Sequence, residues 1–243
     1  MSNKNSKRAI GMKRFFRIFF SRGWVTKICF GIIAAFVFIA IFAPVLTQYT
    51  PYEQNLRYIL ANPSSEHLLG CDNIGRDTLT RLLFGARVSL ITGLLSSIWA
   101  AVVGTSIGLI AGYVGGWLNS FVMRFTDAMI AIPPIIFTMV LSTMVTGNLM
   151  GISLVIGVSI IPSYIRMVNG LVISLRENDY VTASNLIGQK QLVIMFRHLL
   201  PNCLASLIVT FTMNVGTAIM LESTELPGGG HYSSYTSLGS YGF

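Results

Sequence analysis

Apolar residues fall into five long runs parted by shorter polar stretches. The runs cover about Val25 to Leu46, Val88 to Ala111, a third opened by Arg124 and Asp127 and reaching about Val145, Gly151 to about Val168, and Cys203 to about Leu221. About 20 predominantly apolar residues carry a helix across a bilayer, and a helix satisfies its own backbone in hydrocarbon. The pattern therefore predicts an all-α polytopic membrane protein with about five transmembrane helices. The second run carries Gly93, Ser96, Ser97, Gly104, Ser106 and Gly108. Small residues let helices approach closely in lipid, so this run reads as a packed interior helix. Gly112 to Trp117 reads as a tight cytoplasmic turn, with Trp117 as an interfacial anchor. In the third run, Pro133-Pro134 removes backbone donors, so the helix must kink or start afresh there. Arg124 and Asp127 have the spacing of a helical ion pair, read as structural rather than substrate-binding. Thr146 to Met150 is a short outer loop.

Two polar stretches interrupt the runs in a more specific way. Residues 47–87 carry balanced charges, Glu53, Glu66, Asp72 and Asp77 against Arg57, Arg76, Arg81 and Arg87, which fits an outer loop. Within it the sequence predicts an amphipathic helix on the outer surface, started near Asp77, with Arg76, Asp77 and Arg81 pairing locally. His67, Asp72 and Asp77 match no metal-ligand spacing. Residues 175–200 predict a short helix after Asp179 with Ala183, Leu186 and Ile187 on one face, ended by Gly188. A second helical piece runs from Gln191 to Leu199, and Pro201 opens the next apolar run where its missing N–H costs little. Two short helices on the water side form a knob that can carry motion from a soluble partner; an ordinary cytoplasmic loop is the plainer reading.

Composition narrows the class. The 243 residues are 53% apolar and 11% charged, against about 25% charged for a soluble domain. The net charge of +8 does not indicate nucleic acid, because eight Lys and Arg lie between Lys4 and Lys27 with no acid among them. That run is the positive-inside signal and predicts a basic cytoplasmic tail over residues 1–24, with attraction to anionic lipid as a by-product. The first apolar run lacks a cleavage site and reads as a retained helix rather than a signal peptide. Cys29 and Cys203 read as packing residues and Cys71 as a loop residue, with no disulfide framework and no metal site. Gly112 to Trp117 lacks the Lys-Ser/Thr of a phosphate-binding loop, and His67, His198 and His231 share no triad spacing. No enzyme chemistry and no cofactor are expected in this chain.

The stretch Asp179-Tyr-Val-Thr-Ala-Ser184, Gly188 and Phe196-Arg-His-Leu-Leu-Pro-Asn202 resembles the coupling loop of ABC-importer permeases. The family pattern is Glu-Ala-Ala, three residues, Gly, nine residues, Ile-x-Leu-Pro. Here Thr182-Ala183-Ser184 stands for Glu-Ala-Ala, Gly188 and Leu200-Pro201 are in place, and His198 replaces the isoleucine. The fuller form is similar to the dipeptide, oligopeptide and nickel branch. So is the outer-loop stretch Gly70, Asp72, Gly75, Arg76 and Asp77, with Cys71 where threonine is usual. Arg124, Asp127 and Ile132-Pro133-Pro134 also fall within the resemblance, which covers residues 25–224.

The resemblance implies a permease subunit in a bacterial or archaeal inner membrane, passing peptides or nickel and metal chelates inward. Its implied partners are a second permease subunit, two ABC ATPases holding ATP and Mg, and an extracytoplasmic substrate-binding protein near the outer loop. Tyr180, Val181, Ala183 and Leu186 would give apolar contact to the ATPase, Thr182 would cap or hydrogen-bond beside Ser184, Gly188 would allow the bend, and Pro201 would begin the following helix. After Glu222-Ser-Thr the sequence departs from the family. Residues 225–243 are rich in Gly, Ser and Tyr where a sixth span is expected, which implies a truncated, frame-disturbed or shortened permease. The competing readings are a stand-alone ion-driven transporter or channel, which would want ionisable residues in mid-span, and a non-functional remnant.

Overall fold

A computed structural model describes residues 23–145 and 149–225. The expectations for the basic tail, for Thr146 to Asn148 and for the Gly/Ser/Tyr-rich tail beyond Glu225 lie outside the described residues. The chain divides into two compact units at Val88–Ser89. Among the described residues, four helices are long and apolar enough to span a membrane, and a bent helix pair makes a fifth, as the apolar pattern predicted.

The first unit holds α1, Trp24–Leu46, with Pro44 in its final turn. Cys29 on it is exposed rather than packed. The loop that follows contains one 3₁₀ turn, Leu56–Tyr58, capped by the Asn55 side chain, which accepts from the Arg57 N–H. α2 then runs from Thr78 to Val114 as one 37-residue helix. The separate surface helix expected near Asp77 is instead the first turns of this span. No proline interrupts the segment and Gly85 meets no neighbour, so the helical ladder continues unbroken. At ~1.5 Å per residue it is about 55 Å long and overhangs a hydrocarbon layer of about 30 Å.

The second unit comprises the rest of α2 with α3 (Gly116–Ala131), α4 (Pro134–Ser142), α5 (Leu149–Arg176), α6 (Asp179–Leu186), α7 (Gln191–Ile194), a π turn (Met195–Leu199) and α8 (Leu200–Glu225). The turn before α3 is made by Gly115 and Gly116, both at positive φ; Gly112 lies inside α2. α3 and α4 meet at an 86° bend, with Pro133 at the cap and Pro134 in the first turn of α4, where a missing N–H is tolerated. The fourth span is longer than its apolar run: α5 continues past Arg166 to Arg176.

α5 is the most buried span and the centre of the unit. α2 lies against it through three glycines one turn apart. A Cβ on Gly104 would come 2.6 Å from the Tyr164 Cβ, one on Gly108 2.8 Å from the Ile165 carbonyl oxygen, and one on Gly112 3.0 Å from the Val172 Cβ. The small-residue stripe of the second run is therefore a close helix contact. One core cluster gathers Ala100, Ile156, Tyr164 and Leu221; a second gathers Leu109, Val168, Val172, Val181, Ile194 and Leu199.

Candidate functional site

The second cluster anchors the knob. α6 begins at Asp179, an acid in the first turn where the helix dipole favours negative charge, and Gly188 follows it at φ 78°. Val181 is fully buried against the cluster, so it anchors the knob and is not available to a partner, contrary to the expected contact role. Tyr180, Thr182, Ala183, Leu186 and Gly188 are exposed, and Ser184 is half-buried with its hydroxyl donating to the Tyr180 carbonyl at 2.8 Å. Leu186 and Ile187 are 84% and 85% exposed. The apolar face foreseen for Ala183, Leu186 and Ile187 therefore exists, turned outward.

Polar pins hold this knob to α2 and α8, and tie α5 to α2 beside it. The Tyr113 hydroxyl at the end of α2 donates to the Asn185 side-chain oxygen at 3.1 Å, and Arg176 donates to the Tyr113 carbonyl at 3.0 Å. Asn202 at the start of α8 donates to the Tyr180 hydroxyl at 3.3 Å and to the His198 carbonyl at 2.6 Å. Pro201 lies in the first turn of α8, as its sequence position implied, but inside a helical run already continuous from Gln191. It has no N–H to give the Arg197 carbonyl, and the π turn just before it absorbs the mismatch, with the Leu200 N–H bonding the Met195 carbonyl.

Arg124 and Asp127 do not pair with each other. Asp127 pairs with Arg166 of α5, while Arg124 is exposed with no ion pair among the described residues. The i,i+3 spacing allowed the intrahelical pair, but α5 packs along α3 and brings Arg166 to Asp127. A second cross-link, Asn169 donating to the Asn119 side-chain oxygen at 2.6 Å, holds the same two helices. Beyond this pair, at the proline bend, lies a cavity of about 290 Å³. Met129, Pro134, Ser159, Ser163, Asn214 and Thr217 are among its lining residues. Asn214 donates to the Ser163 hydroxyl at 3.1 Å.

The structure thus holds an outward apolar knob pinned to α2 and α8 and packed on α5, and a separate cavity at the bend between α3 and α4. Residues 104–226 match the family described as binding-protein-dependent transport system inner membrane component, and residues 12–63 match the N-terminal TM domain of oligopeptide transport permease C. The chain belongs to the binding-protein-dependent transport permeases. It is similar to the dipeptide transport system permease protein DppC of Alkalihalophilus pseudofirmus, 41% identical over 80% of this chain and 64% of that protein. Against DppC of Haemophilus influenzae it is 38% identical over 84% of this chain and 70% of that protein. Against the oligopeptide transport system permease protein OppC of Bacillus subtilis it is 29% identical over 98% of this chain and 75% of that protein. The permease thus spans somewhat under two thirds of the first relative's length.

The Gly70–Asp77 motif of this permease is a polar cage in the first unit. Gly70 and Gly75 take positive φ, and a Cβ on Gly75 would sit 2.0 Å from the Asn55 carbonyl oxygen, so only glycine fits. The expected pairing of Asp77 with Arg76 and Arg81 is redistributed. Both arginines go to Asp72, at 2.8 and 2.5 Å. Asp77 binds His67 Nδ1 at 2.9 Å and accepts the Thr80 N–H and hydroxyl at 2.7 Å, capping α2. The His67 ring lies between Tyr49 and Tyr58, with centroids 4.9 and 5.0 Å away. Burial works against ionisation of Asp72, but the Arg76 backbone and side-chain N–H groups and the Ile74 N–H outweigh it, lowering its pKa to about 2. Asp77 is likewise lowered, burial again opposing and the Thr80 and His67 hydrogen bonds prevailing.

Sequence reasoning missed Tyr113, Asn119, Asn169, Asn185 and Arg166 as partners. Isolated polar residues in or beside apolar runs were the available signal, since such groups in a membrane interior need a partner.

Proposed function

We propose that this chain is the membrane-spanning permease subunit of an ATP-driven importer that passes peptides into the cytoplasm. The observation that carries the reading is the outward-facing Ala183–Leu186–Ile187 surface on a knob pinned by hydrogen bonds to α2 and α8 and packed through Val181 on α5, in a member of this permease family. Peptides follow from the names of the similar proteins, and no observation favours nickel or metal chelates over them. A second permease subunit completes the membrane pair, two ATPases holding ATP and Mg dock on the knobs, and an extracytoplasmic binding protein delivers cargo near the outer loop. ATP hydrolysis belongs to those ATPases. With the knob in the cytoplasm and the α3–α4 pair counted as one span, α1 starts on the cytoplasmic side, in line with the basic N-terminal run.

Mechanically, ATP-driven closure of the ATPases moves the knobs together, and each knob pulls on α2, α5 and α8. The spans then tilt between inward-open and outward-open arrangements as rigid bodies. The test is co-purification of the tagged chain from native membranes. Wild type is expected to recover an ABC ATPase and a second permease. A Leu186→Asp, Ile187→Asp double variant is expected to keep the permease and lose the ATPase, since both side chains are exposed and their change costs the fold little. Retention of the ATPase by the double variant, or its absence from wild type, would overturn the reading.

A further inference from the structure

α5 is buried along most of its length, and its open face is polar. Between Leu154 and Ile173 its exposed residues are Ser163, Arg166 and Gly170, with Ser159 half-buried one turn before them. α3 has a matching stripe, Ser120, Arg124 and Asp127, at i, i+4 and i+7. The stripes meet at the Asp127–Arg166 ion pair, whose side chains are 59% and 50% exposed. A charge facing hydrocarbon is costly, so a face carrying three charges meets water or protein rather than lipid. The bend cavity lies one turn away on the same helices, entered from α5 by Ser163 and from α3 by Met129 and Ile130.

The division of chemistry between the two places is sharp. The cavity is lined by apolar side chains and by the neutral groups of Ser159, Ser163, Asn214 and Thr217, with no Asp, Glu, Lys or Arg. It can exchange hydrogen bonds with an uncharged amide but offers no counter-ion. The charges stand just outside it: Arg166, Asp127 and the uncommitted Arg124. An exposed ion pair contributes only about 0–1 kcal/mol, so trading its internal partner for an external ion costs little.

Resting on the peptide-importer reading above, we propose that the bend cavity and this charged edge form one peptide subsite. Neutral groups of the cavity take the peptide backbone, Arg166 with Arg124 takes the free carboxylate, and Asp127 takes the free ammonium. The permease itself thus reads the zwitterionic character of its cargo.

The test is ATP-dependent uptake of a free dipeptide, its C-terminal amide and its N-acetyl derivative by the reconstituted transporter, with the same binding protein throughout. That shared component makes any change in the selectivity ratios a property of this chain. Arg166→Gln is expected to lower the preference for the free carboxylate over the amide by roughly three- to tenfold, leaving the N-terminal preference unchanged. Asp127→Asn is expected to do the converse, and Arg166→Lys to retain most of the wild-type ratios. A merely structural latch would make both neutralised variants lose all three peptides alike; that result, or unchanged ratios in every variant, would overturn the subsite. Absence of ATP-dependent peptide uptake by the wild-type transporter would instead overturn the importer reading, and the subsite with it. Should a neutralised variant fail to assemble, Arg124→Gln decides the matter: it is expected to lower the same carboxylate preference, and unchanged ratios in it would exclude a carboxylate site.

Discussion

At the scale of single residues, Gly108 shows how one side chain sets a helix spacing. A Cβ there would lie 2.8 Å from the Ile165 carbonyl oxygen and 3.1 Å from the Val168 Cβ, both on a rigid neighbour. Gly108→Val is expected to cost about 2–3 kcal/mol through forced separation of α2 and α5, read as a lowered thermal unfolding midpoint in detergent. Asp72 makes a pH-dependent contribution of the opposite kind. Its folded pKa, about 2, lies below its ordinary 3.8, so its stabilisation of the outer loop is fully present above about pH 4 and is lost as pH falls through about 2. Hydrogen exchange of the Ile74 and Arg76 amides, both bonded to Asp72, should lose protection over that interval, whereas Asp72→Asn should remove the transition. The sequence announced these residues unequally. Gly75, Asp72 and Asp77 were legible as a motif, but their partners were not, because Arg81 and His67 reach their acids across nine and ten residues, and Arg76 reaches Asp72 four residues away through a turn rather than a helix.

At the scale of elements, the knob was the most legible part of the chain. Asp179, Gly188 and Pro201 mark local backbone chemistry, and local chemistry is what sequence pattern records. Which face of α6 is buried was less legible, since in an eight-residue helix Val181 and the Ala183–Leu186–Ile187 set are equally apolar and only packing against Leu109 and Val172 chooses between them. Gly188 offers a clean separation of folding from coupling. A side chain there meets nothing within 4 Å, so Gly188→Asp has room, and its cost is about 1 kcal/mol for holding a non-glycine residue at φ 78°. On the importer proposal the variant is expected to assemble with its ATPases, leave their ATP hydrolysis intact and transport poorly; wild-type uptake in vesicles would contradict the role given to the loop. Pro133-Pro134 is the second legible device. Replacing both with alanine is expected to let α3 and α4 straighten. Spin labels at Phe121 and Val140, both exposed, should then move apart in pulsed dipolar spectroscopy.

At the scale of the whole molecule, apolar run length gave the number of spans but undercounted their reach. α2 and α5 both extend beyond their runs, because polar residues such as Thr80, Asn169 and Arg176 are helical once paired or capped, and hydropathy alone scores them as loop. Long-range pairing stayed hidden for the same reason. The Asp127–Arg166 and Asn119–Asn169 links span 39 and 50 residues, and no local pattern encodes them.

The π turn at Met195–Leu199 has its own consequence. It carries one residue more than an α turn, and each residue advances an α-helix by about 100°. Asn214 and Thr217 therefore face the cavity only because that surplus residue sets the phase of everything after it. Excising one residue between Met195 and Leu199 would rejoin the ladder smoothly yet rotate the remainder of α8 by over a quarter of a revolution. A deletion at the membrane boundary would thereby act as a crank on a site four turns away.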